Sequence, residues 1–154
     1  MEPGESEGTI WDTYDQSFRE DAHQLLAWGY QDARQLITSD REETDITGFI
    51  TEAIQARLSS SGINDRFDRY SLKDDHPIPD EGRTGKRRMR IDIIIESSSR
   101  PRHKQRPWYT FEAKRLCKPS HPISTYVGQE GMIRFVQGRY AVACPEVAML
   151  GYVQ

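Results

Sequence analysis

Several things are scarce in this sequence, and each shortage removes a class of protein. Among 154 residues there are two cysteines, Cys117 and Cys144, too few for the disulfide framework of a small secreted domain. No apolar run approaches the length of a membrane-spanning helix. The opening residues, Met-Glu-Pro-Gly-Glu-Ser-Glu, are acidic and lack an apolar core. No secretory signal is therefore expected, membranes are not expected partners, and a cytoplasmic location is the default. There is no glycine-rich phosphate loop, so no nucleotide-driven motor is implied. No Ser-His-Asp or Cys-His arrangement can be traced. Cys117 and His121 stand in a C-x3-H spacing, with His103 and Cys144 elsewhere, but the paired pattern of zinc sites is missing.

What is present suits one globular domain. Hydrophobic residues make up 36% and charged residues 29% of the chain, and at this length a single domain buries roughly 70% of its unfolded surface. The net charge of −3 argues against a nucleic-acid partner only until its distribution is considered. Residues 83–118 hold twelve Lys and Arg against three acids, Asp92, Glu96 and Glu112, while the rest holds nine against twenty-one. A basic surround of this kind suits a polyanion; its bland alternative is a solvated basic hairpin.

Residues 1–12 are expected to form a flexible acidic arm, and 13–154 a single domain. Apolar residues recur at helical spacing over 15–38, interrupted by Gly29, and again from Ile46 to Leu58, where Ser59-Ser60-Ser61-Gly62 ends the stripe. Alternation over 67–73 predicts a short strand, and 74–85, with Pro77, Pro79 and Gly82, a turn-rich loop. Two apolar strands follow, 91–95 and 108–113, joined by a polar and basic connection. A proline-rich loop then leads to a helix expected over 126–142, with Ser124 and Thr125 available as caps. Gly131, Arg134, Phe135 and Gly138 would share one face of that helix. Residues 147–153 read as a final buried strand.

The two central strands carry the chemistry. The first is interrupted by Asp92; the second ends in Glu112-Ala113-Lys114. Side chains alternate along a strand, so Glu112 and Lys114 share a face. If the strands pair, Asp92 meets Glu112, near an edge of the sheet. Two carboxylates about 4 Å apart repel by roughly 4 kcal/mol at an effective dielectric near 20. One must take a proton or a cation must stand between them. Lys114 is one such cation; a divalent ion is a stronger one, and carboxylates, a backbone carbonyl and waters are ligands that Mg2+ prefers. An ammonium beside such an ion can orient water and offset charge on a phosphate. The residues thus point to metal-assisted phosphodiester hydrolysis. The alternative for Asp92 and Glu112 is a structural salt bridge to Lys114 and nearby arginines.

Asp92 on one strand and Glu112-Ala113-Lys114 at the end of the next resemble the PD-(D/E)xK, or restriction-endonuclease-like, nuclease superfamily, although Ile91 stands where that motif has proline. The resemblance runs from about residue 41 to the C-terminus. It implies an α/β fold with an αβββαβ core, a mixed central sheet flanked by helices, and here an extra N-terminal helix. It also implies an Mg2+- or Mn2+-dependent endonuclease, with DNA the expected substrate and RNA left open. Asp92 and Glu112 would bind the metal with the Ala113 carbonyl, and Lys114 would serve the attacking water or the phosphate. The first core helix often supplies a glutamate: Glu43 is the first choice, then Glu42, then Glu52. Arg88, Arg90, Arg102, Lys104, Arg106 and Arg134 would hold backbone phosphates. The region from Tyr126 onward looks like small bacterial and phage-defence proteins of the same superfamily. Cutting both strands of a duplex is easiest for a homodimer or a larger defence complex. The alternative function is a catalytically inactive module of this fold that binds nucleic acid or a protein partner.

Overall fold

Alternation along two strands decides which way the sheet faces. Tyr109, Phe111 and Ala113 on one strand, and Ile91, Ile93 and Ile95 on its neighbour, point the same way and are buried. They need an apolar partner layer, and the two long helices supply it.

The computed structural model describes residues 7–60, 62–63, 65–77, 82, 84–85, 88, 90–98, 108–129, 131–137 and 146–154, with side chains from residue 16 onward except at 135 and 136. The elements are helices α1 (Glu7–Ala33) and α2 (Glu43–Leu58), strands β1 (Tyr70–Pro77), β2 (Arg90–Ser97) and β3 (Trp108–Leu116), short helices α3 (Ile123–Val127) and α4 (Met132–Val136), and strand β4 (Glu146–Val153). The sheet is mixed, in the order β1-β2-β3-β4. β1 and β3 run antiparallel to β2, and β4 runs parallel to β3. The protein is therefore an α/β fold with a four-stranded mixed sheet.

The core lies between the sheet and α1–α2. Phe18, Ala22, Leu25 and Leu26 of α1 and Ile46, Ile50 and Ile54 of α2 close over Ile93, Ile95, Tyr109 and Phe111. The helices cross closely at Gly29, where a Cβ would stand 2.5 Å from Ile54 Cγ1 and 2.9 Å from the Ile50 carbonyl oxygen. The glycine that interrupts the helical stripe is thus what lets the helices touch. Asp21 is also buried in this layer. Its carboxylate accepts the Tyr70 hydroxyl at 2.5 Å and is paired with Arg66, which satisfies a charge that burial would otherwise penalise.

Three expectations change. α1 begins at Glu7, inside the stretch read as an arm, because a helix anchored by packed residues from Phe18 onward extends at one hydrogen bond per added residue. β1 runs on to Pro77 through a segment expected to be a loop. As an edge strand it can hold Lys73, Asp74, Asp75 and Pro77, since one side makes no ladder bonds. The single helix expected over 126–142 is instead broken after Val127 and resumes at Met132. A Cβ on Gly131 would lie 2.0 Å from the Tyr126 carbonyl oxygen, so the glycine serves a tight turn rather than a helix face. The N-cap of α3 is Pro122, and neither Ser124 nor Thr125 caps it.

Candidate functional site

The ladder between β2 and β3 ends at the Ile93–Phe111 pair. One step further, Asp92 would face Glu112. On its other side Asp92 also lacks a ladder partner: Asp75, the residue of β1 opposite it, has a positive φ of 43° and drops out of the register. The Asp92 carboxylate instead bonds the next strand directly, with Oδ2 accepting the Ala113 N–H at 2.7 Å. An acid inside a strand thus stands where the two central strands stop pairing. The location is near the start of β2 and midway along β3, in the two central strands where their mutual ladder stops, and not at an edge of the sheet as expected.

Glu112 and Lys114 share a face of β3, as alternation requires. Lys114 Nζ lies 3.2 Å from Glu112 Oε1 and 3.5 Å from Glu43 Oε1. Glu43 is the first residue of α2, and its other oxygen, Oε2, accepts the Arg115 N–H at 2.9 Å. Of the three candidate glutamates, Glu43 is therefore the one that joins Glu112 and Lys114. Glu42 turns aside to Arg115 Nη1, at 3.2 Å, and its side chain is largely exposed. Glu52 lies on the exposed side of α2.

Burial sets the electrostatics. Glu112 is 8% exposed. Desolvation, followed by the charge on Asp92, pushes its carboxyl up to about 7, against the pull of Lys114. Asp92 is raised too, chiefly by burial, although the Ala113 N–H opposes this. For Lys114 burial works against the charge, but Glu112, Glu43 and Asp92 together outweigh it and hold the ammonium above its ordinary value. The cluster thus places three carboxylates around one ammonium. Among the described residues, Glu112 Oε2 is the buried side-chain oxygen with no hydrogen-bond partner.

That orphaned oxygen bears on whether a metal ion suits the site. Three carboxylates against one lysine leave two negative charges uncompensated when all are ionised, which is the charge of one divalent cation. All of these oxygens are hard donors of the kind Mg2+ and Mn2+ take. In charge and donor type the residues present therefore suit such an ion. Among the described residues, no group of three or more His, Cys, Asp and Glu side chains is already arranged as a metal cage; the positive charge between Glu43 and Glu112 is that of Lys114.

The basic residues divide. Arg90 is paired with Asp75 through Nε at 2.5 Å, so in this structure it neutralises β1. The Arg88 N–H donates to the Gly85 carbonyl at 3.3 Å. Arg134 lies half-buried in α4. Arg102, Lys104 and Arg106 lie outside the described residues. Cys117 and His121 pair through their backbones, with N–O distances of 2.9 and 2.6 Å, so their spacing serves a turn. His103 and Cys144 lie outside the described residues.

Sequence reasoning missed the supports. Tyr152 of β4 places its hydroxyl 3.0 Å from Thr47 Oγ1. Thr47 also donates to the Glu43 carbonyl at 2.9 Å. Arg115 Nε donates to Gln154 Oε1 at 2.7 Å, and Gln154 Nε2 reaches the carbonyls of Thr38 and Arg41 at 3.0 and 3.3 Å. One signal was available: Thr47 is a polar residue on the buried side of α2, one turn after Glu43. Comparison with known proteins returns no match, neither to a family model, nor to a curated protein, nor to a solved structure.

Proposed function

We propose that this chain is a metal-dependent endonuclease of the restriction-endonuclease-like type, hydrolysing phosphodiester bonds of DNA. The observation that carries the reading is the meeting of Asp92, Glu112, Glu43 and Lys114 where β2 and β3 part, with one buried carboxylate oxygen unpartnered. The element order, two helices, three strands, two short helices and a strand parallel to β3, is compatible with an αβββαβ core and supports the same reading.

In this mechanism Asp92 and Glu112 would hold Mg2+ or Mn2+, with the Ala113 carbonyl and Glu43 as further oxygen donors. When bound, such an ion would supply positive charge for the phosphate and lower the pKa of the attacking water. Lys114, kept protonated by its three carboxylate neighbours, orients that water and offsets charge developing on the phosphate oxygens. Arg88, Arg90, Arg102, Lys104, Arg106 and Arg134 are the proposed contacts to flanking phosphates. Because Arg90 is held by an exposed acid, Asp75, DNA has to compete with that acid for it. A setting in phage defence or mobile-element biology, and a homodimer or larger complex, belong to the same proposal.

A second reading is favoured by one observation: Lys114 already bridges Glu43 and Glu112, as a structural ion pair would. The chain would then be a binding module for nucleic acid or a protein partner, with the fold and without the chemistry. One experiment separates the two. Supercoiled plasmid, single- and double-stranded DNA, and RNA are incubated with the protein in Mg2+, in Mn2+ and in chelator. The nuclease reading expects divalent-dependent cleavage that Asp92→Asn and Lys114→Ala both abolish. Wild-type rates from Lys114→Ala overturn it. Salt-sensitive binding with no cleavage in either ion establishes the second reading.

A further inference from the structure

β4 supplies no member of the carboxylate cluster, yet it holds one of them from two directions. Tyr152 is the ladder partner of Arg115, whose N–H donates to the Glu43 carboxylate at 2.9 Å. The Tyr152 hydroxyl is 3.0 Å from Thr47 Oγ1, and Thr47 Oγ1 donates to the backbone carbonyl of Glu43 at 2.9 Å. A threonine hydroxyl has one proton. With that proton on the Glu43 carbonyl, Thr47 can only accept from Tyr152, so the tyrosine is the donor. The contacts close a ring. Glu43 is fixed at its carbonyl through Thr47 and Tyr152, and at its carboxylate through the Arg115 amide beside Tyr152.

The ring matters because Glu43 is the first residue of its helix, where fraying is easiest. Without a clamp, its carboxylate would move relative to Asp92 and Glu112, which sit on the sheet. Burial, and then the charges on Asp92 and Glu43, push the Tyr152 hydroxyl up to about 12 against the pull of Thr47. The hydroxyl therefore stays protonated and available as a donor at any working pH.

We propose that Tyr152 is a positioning residue that sets Glu43 against Asp92 and Glu112, and so fixes how tightly this site binds a divalent cation. The inference rests on the cation reading given above. It is tested with Mn2+ itself, by calorimetric titration of the full chain without nucleic acid. Tyr152→Phe keeps the aromatic side chain and removes only the hydroxyl donor, and is expected to weaken Mn2+ binding about fivefold, the worth of one buried hydrogen bond. Thr47→Val should match it, and Thr47→Ser should keep wild-type affinity. The decisive comparison is made with Glu43→Gln: if Tyr152 acts through Glu43, adding Tyr152→Phe to that variant weakens binding no further. Wild-type affinity in Tyr152→Phe, or the same loss in both backgrounds, overturns the positioning role while leaving the cation site standing. A wild-type chain that takes up no Mn2+, or uptake that survives Asp92→Asn combined with Glu112→Gln, overturns the cation reading and the role of Tyr152 with it.

Discussion

Asp92 Oδ2 accepts the Ala113 N–H at 2.7 Å, so a side chain takes the place a strand carbonyl would fill. The bond does two things at once. It satisfies a backbone donor where the β2–β3 ladder has ended, and it aims the carboxylate at the residue between Glu112 and Lys114. Structure and proposed chemistry therefore share one group.

Two substitutions at Asp92 separate those roles. Asn keeps an oxygen that can accept the Ala113 N–H but carries no charge. Asp92→Asn is expected to lose divalent-dependent cleavage while keeping close to wild-type stability. Asp92→Ala leaves the donor unpaired and should cost a further 1–3 kcal/mol or so in denaturant unfolding. Equal stability of the two variants would show that the bond contributes nothing.

Lys114 is the counter-ion of Glu43 and Glu112. Lys114→Met should lower metal-free stability, by less than the roughly 3–5 kcal/mol of a fully buried pair, because Glu112 can take up a proton instead. Mn2+ should then raise the melting temperature of the variant by more than that of the wild type, since the ion restores the missing charge. Thermal melts with and without Mn2+ decide this, and an equal shift in both proteins would count against a shared site.

The Glu112 carboxyl gives the metal-free protein a pH signature. Unfolded, it ionises near 4.5; folded, near 7. Between those values the folded chain binds the extra proton, so stability falls as pH rises. The contribution is fully present below pH 4.5 and lost as pH rises through 7. Chemical denaturation across this range should show the decline, and Glu112→Gln should flatten it. Mn2+ should reverse it, with uptake of the ion near pH 6 releasing protons to buffer. A pH-independent wild type would rule out a protonated Glu112.

Gly29 tests the helix layer away from the site. Alanine is worth about 1 kcal/mol more than glycine within a helix. Here its Cβ would collide with Ile54 and with the Ile50 carbonyl, an overpacking cost of typically 1–3 kcal/mol. Gly29→Ala is therefore expected to lower the melting temperature, whereas helix propensity alone would raise it.

Much of the architecture was legible because it depends on local pattern. Alternation at Ile91, Ile93 and Ile95, and at Tyr109, Phe111 and Ala113, marks a buried face whatever the strands pair with. Helical spacing from Phe18 to Ala33 and from Ile46 to Ile54 does the same for the two long helices. The 126–142 segment misled because Gly131 can serve a close helix–sheet contact or a tight turn, and its own neighbours do not distinguish them. The strand through 74–77 was hidden because its charges and its proline are acceptable only on an edge, and strand order is not a local property.

The sequence alone determined that two acids and a lysine lie on neighbouring strands, and that two of them share a face, because side-chain period is a property of the backbone. Tertiary structure alone decided that the strands part at Asp92, that Glu43 rather than Glu42 or Glu52 meets the lysine, and that Tyr152 and Thr47 brace it. Those outcomes depend on the angle at which α2 meets the ends of β3 and β4. Packing across residues more than a hundred positions apart sets that angle, and no window of sequence contains it.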